Sequence, residues 1–163
     1  MNRILVVLPN WYGETLFATP FLRQLRQQHP QARIATLGWP QCEEILRHNP
    51  SVDEHVVYDE RGAHRGLAAK WRIIRQLRAT RFDAAFVLRR SLSRSLLLAL
   101  AGIPTRVGFA NAKSGWLLTR QVTVPLEPRH KAASYLPLLE KNNGAPVPIV
   151  GSYEYVVSDA ERQ

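Results

Sequence analysis

One cysteine, Cys42, is all the 163-residue chain contains, so no disulfide forms within it and a reducing compartment suits it. No second Cys or nearby His completes a metal site there, and Cys42 reads as a small, semi-buried side chain. Long apolar runs are missing too. The stretch "LLLALAGI" from Leu96 falls far short of the ~20 residues of a membrane span. The opening "RILVVLP" is too short for a signal-peptide core and lacks a small-residue cleavage site. A soluble, cytoplasmic protein is expected. Metal-diphosphate D-x-D, H-E-x-x-H, G-x-S-x-G, G-x-G-x-x-G and Gly-Lys-Ser/Thr patterns are all lacking, which argues against several hydrolase and nucleotide-loop chemistries. The five histidines are scattered, with no ligand-pair spacing.

Acid is scarce in one region. From Arg61 to Leu126 there are thirteen Lys/Arg against one acid, Asp83, a net +12. The rest of the chain has nine basic and twelve acidic residues, a net −3, and the total is +9. A basic segment without acidic partners implies a polyanionic ligand or surface: phosphate, nucleic acid or anionic lipid.

What is present is ordered alternation, with an apolar content of 45% that supports a full single core. Arg3–Pro9 reads as a strand buried on both faces, and Thr15–His29 as an amphipathic helix stopped by Pro30. "ARIATLG", "DEHVVYD", "FDAAFVLR" and "TRVGF" read as further strands. Helices are expected from Pro40, over Leu67–Ala79 with Trp71 on the apolar side, over Leu92–Ala101 and over Lys131–Lys141. The expected fold is α/β, a doubly wound, Rossmann-like parallel sheet with right-handed crossovers. Residues 1–144 are expected to form the domain, and 145–163 a linker or the start of another.

Such sheets bind ligands beyond the carboxyl ends of their strands. The first such loop offers Trp11, Tyr12, Gly13 and Glu14. Glu14 fits two roles there: a helix-start acid favoured by the helix dipole, or a base that accepts a proton from a substrate hydroxyl. Arg89, Arg90 and Arg94 follow the fourth strand, and Arg61 and Arg65 the third, where guanidinium groups can hold phosphate or carboxylate.

Three blocks carry a resemblance. They are "GETLFATPFLRQLRQQHP", "RFDAAFVLRRSLSRSLLLALAGIPTRVGF" and "HKAASYLPLLEKNNG". In this order they resemble glycosyltransferase family 9, the ADP-heptose:lipopolysaccharide heptosyltransferases, and are more similar to the second heptosyltransferase than to the first. The resemblance implies the N-terminal half of a GT-B enzyme with inverting, metal-independent chemistry. It implies that this half binds the acceptor, a phosphorylated Kdo–lipid A core. The catalytic base falls where the family has Asp and this chain has Glu14. Trp11, Tyr12, Gly13, Arg61, Arg65, Arg89, Arg90, Arg94 and Arg120 are the expected acceptor-binding residues. No cofactor is expected. The sugar-nucleotide donor, ADP-heptose, would be bound by a C-terminal domain absent here, supplied in cis or by a separate chain, and the 163 residues alone are not expected to turn over. Peripheral association with an anionic inner-leaflet surface is expected, and nucleic acid is not. The alternative, a non-catalytic polyanion- or nucleic-acid-binding module, would use Trp71, Phe82, Phe86, Phe109 and Trp116 as stacking surfaces.

Overall fold

The structure, a computed structural model, describes residues 1–123 and 133–139. Strand β1 is Arg3–Val7, followed by helices α1, Tyr12–Phe17, and α2, Thr19–Gln28. Then come β2, Arg33–Gly38, α3, Pro40–Leu46, and β3, Glu54–Val57. Helix α4, Leu67–Thr80, leads to β4, Ala84–Val87, and α5, Leu92–Leu100, to β5, Thr105–Phe109. A short 3-10 turn at Gly115–Leu117 precedes β6, Arg120–Val122.

Among the described residues six strands form one sheet in the order β3-β2-β1-β4-β5-β6, with every pair parallel. Strand β1 is central because its residues are apolar in both directions. Ile4 and Val6 enter one core with Phe21, Leu22 and Leu25 of α2, while Leu5 and Val7 enter the other with Ile74 of α4 and Leu98 of α5. Phe21 meets Phe86 of β4 edge-on at 5.5 Å, an aromatic pairing that locks α2 onto the sheet. The chain therefore leaves β1 toward one face and β4 toward the other. Between these diverging loops lies the crevice at which doubly wound sheets bind ligands.

Three details differ from the sequence reading. The Thr15–His29 helix begins earlier, at Tyr12, and is broken at Ala18. Pro20 has no N–H to give the Leu16 carbonyl, and the Thr19 hydroxyl donates to it instead at 2.8 Å. Glu14 thus stands in the first turn of a short helix and not in the loop before it. Second, the strand-like stretch "QVTVPL" that opens at Gln121 supplies a sixth strand, β6, which joins the sheet edge with Arg120–Val122 paired to β5. Third, Trp71 is 55% exposed, although it falls on the apolar stripe of α4. Both ends of the expected Lys131–Lys141 helix (131–132 and 140–141) and all of 145–163 lie outside the described residues, while 133–139 make short turns such as Leu139 N–H to Leu136 O at 2.9 Å.

Asp83 staples the start of β1 to β4. Its carboxylate accepts the Arg3 amide at 3.0 Å and the Asn2 amide at 2.5 Å, and these bonds hold its pKa below the ordinary 3.8. A depressed carboxyl adds stability that is present above the unfolded value and lost as pH falls through the folded one. Thermal melts from pH 6 to pH 3 are expected to show a shallower acid loss in Asp83→Asn than in the wild type.

Candidate functional site

At the carboxyl edge of the sheet a cleft of about 320 Å³ opens between the loops that follow β1, β4 and β5. Pro9, Trp11 and Glu14 form one side, Arg89 and Arg90 another, and Phe109, Ser134 and Tyr135 close it. The first loop reaches this position because three elements hold it. Gln41 of α3 donates to the Asn10 carbonyl at 2.9 Å, and the Cys42 thiol lies 3.4 Å from the Pro9 carbonyl and 3.3 Å from the Thr15 hydroxyl. Burial pushes the Cys42 thiol up, so it serves as a protonated donor and not as a nucleophile.

The third support is Arg94, 1% exposed, beneath the loop. Its guanidinium donates to the Leu8 carbonyl at 2.5 Å and to the Asn10 side-chain oxygen, and it stands 3.7 Å from the Glu60 carboxylate. Burial lowers its pKa, and the Glu60 carboxylate acts against that shift. An arginine remains charged even so.

Opposite Glu14 is Tyr135, whose phenol is pushed up to about 12, first by burial and then by the charge of Glu14, with Arg89 acting the other way. Tyr135 is therefore a neutral hydrogen-bond donor at any physiological pH. The cleft brings together a carboxylate, two guanidinium groups and a phenol, between Trp11 and Phe109. This set can grip an anionic group while a carboxylate faces a neighbouring hydroxyl.

The expected site residues separate in space. Trp11, Glu14, Arg89 and Arg90 gather in the cleft. Gly13 lies beside it with no atom within 4 Å of where a Cβ would sit, so its bareness leaves an approach open. Tyr12 turns away and donates to Glu44 at 3.1 Å. Arg61 lies 5.3 Å above the Trp39 ring, which is itself 6.2 Å from Trp11, so a cation and two indoles extend the wall past β2. Arg65 is exposed in the loop after β3, and Arg120 stands on the outer strand β6; neither lines the cleft. Arg94 is buried and points inward, to the loop. Tyr135, Phe109, Ser134 and Asn10 belong to the site or its support without having been singled out for it from the sequence. For Asn10 the signal was its place directly after the apolar run Arg3–Pro9. Tyr135 had no local signal. Among the described residues no three His, Cys, Asp or Glu side chains gather as a metal-ligand set.

Residues 70–163 match the family model for glycosyltransferase family 9 (heptosyltransferase). The chain is 30% identical over 107 residues to lipopolysaccharide heptosyltransferase 2 of Escherichia coli (strain K12), covering 66% of this chain and 31% of that protein. It is 29% identical over 108 residues to lipooligosaccharide heptosyltransferase 2 of Haemophilus ducreyi, covering 66% of this chain and 30% of that one. Among solved structures, a family 9 glycosyl transferase from Veillonella parvula superposes with a TM-score of 0.84 at 23% identity, over 98% of this chain and 46% of that one. The E. coli ADP-heptose heptosyltransferase II gives 0.78 at 27% identity, over 98% of this chain and 48% of that one. The matched region spans about a third of the length of these curated relatives. With the parallel sheet and its flanking helices superposing on those folds, the chain belongs to glycosyltransferase family 9 and has the Rossmann-like architecture of a GT-B N-terminal half.

Proposed function

We propose that residues 1–144 are the acceptor-side domain of a heptosyltransferase-like glycosyltransferase. The observation that carries this reading is the cleft in which Glu14 faces Arg89, Arg90 and Tyr135. The reaction is inverting, metal-independent transfer of heptose from ADP-heptose to a phosphorylated Kdo–lipid A core. Glu14 takes the proton from the acceptor hydroxyl as that oxygen bonds to the anomeric carbon. The bond from that carbon to the ADP oxygen breaks on the opposite face, and ADP leaves with the electron pair. Charge develops on the sugar ring as in glycoside hydrolysis. Arg89 and Arg90 hold the acceptor's phosphate, and Tyr135 donates to it or to the reacting hydroxyl. Arg61, on its two-indole wall, extends the contact. The donor site is supplied from outside these residues, in cis or by a separate chain. The domain works in the cytoplasm, at the anionic face of the inner membrane.

Glu14 is one methylene longer than the Asp that the family resemblance places there. It stands in the first turn of a short helix that follows the braced Pro9–Asn10 loop. The alternative of base stacking on a nucleic acid loses three of its aromatics, since Phe82, Phe86 and Phe109 are buried. Calorimetric titration with the phosphorylated Kdo–lipid acceptor tests the reading. Charge-assisted hydrogen bonds contribute about 1.5–3 kcal/mol each, so Arg89→Gln with Arg90→Gln is expected to weaken binding by roughly 100-fold or more. Affinity within twofold of the wild type would overturn it.

A further inference from the structure

Between α4 and α5 the outer surface is apolar where a free surface is normally polar. A groove of about 600 Å³ runs between the two helices, floored by Tyr58, Ile74 and Leu97. Its walls are Leu67, Trp71, Leu96 and Leu100, and Leu67 is 85% exposed. Large apolar side chains gathered in one exposed groove mark a docking surface and not ordinary surface scatter.

The charge beside the groove indicates its occupant. Lys70 lines it, and on the other side of Trp71 a second depression is lined by Arg72, Arg75, Arg78 and Arg81. No acid interrupts the sequence between Arg61 and Phe82. The acids nearest the groove's mouth are engaged: Asp59 accepts the Arg61 and Gly62 amides, and Glu60 accepts from Ser93 and lies against Arg94. Apolar side chains flanked by uninterrupted cations match the acyl boundary and head groups of an anionic bilayer. The core of a protein interface is depleted in charge and fits this arrangement poorly.

The position also fits. Helices α4 and α5 follow the carboxyl ends of β3 and β4, so Leu67 and Leu92 start at the sheet edge that carries Glu14 and Arg89. A lipid-anchored acceptor could then keep its anchor in the bilayer and bring its head group to the cleft. We propose that the α4–α5 face docks this domain on an anionic lipid bilayer, with Leu67 and Trp71 at the acyl boundary and Arg72, Arg75 and Arg78 on the head groups. The inference rests on the reading of the acceptor as a membrane lipid.

Flotation of the full chain with acceptor-free vesicles tests it, comparing phosphatidylcholine alone with phosphatidylcholine containing phosphatidylglycerol. Binding is expected only to the anionic vesicles. Leu67→Ser with Trp71→Ser is expected to weaken it at least tenfold, by loss of buried apolar area, with an unchanged melting temperature. Each of Arg72→Gln, Arg75→Gln and Arg78→Gln is expected to weaken it about fivefold. Vesicle binding that ignores Leu67 and Trp71, or no vesicle binding, would overturn the proposal. So would self-association abolished by Trp71→Ser in place of vesicle binding, which would assign the groove to a second copy. Binding of a deacylated, water-soluble phosphorylated acceptor is measured in parallel. Its loss counts against the acceptor reading alone, and loss of vesicle binding with that affinity intact counts against the docking face alone.

Discussion

Glu14→Gln is expected to lower heptose transfer by about 10²- to 10⁴-fold, the usual range for a general base. The assay joins this chain to the donor half of a family 9 heptosyltransferase. Glutamine keeps the size and shape of the side chain but cannot accept the acceptor's proton. Acceptor affinity is expected to stay within about threefold, because Arg89, Arg90 and Tyr135 remain in place. That division separates a base from a mere helix-start acid. If Glu14 only favoured the α1 dipole, Gln would cost a few tenths of a kcal/mol in stability and leave transfer intact. Glu14→Asp shortens the side chain to the length that the family resemblance implies, and it should keep far more activity than Gln.

Arg94→Met is expected to destabilise the chain by about 3–5 kcal/mol, the cost of breaking a buried charged network from one side. For a domain of this size, that corresponds to roughly 10 °C in melting temperature. Methionine fills much of the space but leaves the Leu8 carbonyl and the Asn10 side chain without their donor, and Glu60 without its cation. Arg94→Lys should recover only part of the loss, because one ammonium cannot reproduce the two-armed fork that spans Leu8 and Asn10. The loop between β1 and α1 should loosen in both variants, and amide exchange at Trp11–Thr15 would report it. Direct acceptor contact by Arg94 would instead reduce affinity without reducing stability.

Arg94 also shows where reading the sequence succeeds and fails. As the third arginine after a strand, it resembles a ligand-facing group. Yet it shares a helical face with Leu97, Leu98 and Ala101, all buried, and that spacing marks it as inward-pointing. The same periodicity misleads at Leu67 and Trp71. They continue the stripe of Ile74 and Leu77, but only the later turns of α4 reach the sheet. The strands were legible because a parallel strand covered on both faces is almost wholly apolar, and Thr105–Phe109 has the same bounds in the sequence reading and in the structure. Tyr135 was not legible in its role. It meets Glu14 across more than a hundred residues of chain, and local pattern carries no record of such a contact.

The most direct test places both candidate ligands on the same 163 residues. Titrating the chain with the phosphorylated Kdo–lipid acceptor and, separately, with ADP-heptose asks which side of the reaction this domain serves. Saturable one-to-one binding of the acceptor, weakened by salt and by loss of Arg89 and Arg90, with no saturable binding of ADP-heptose, is the predicted result. Saturable binding of ADP-heptose without binding of the acceptor would contradict the account.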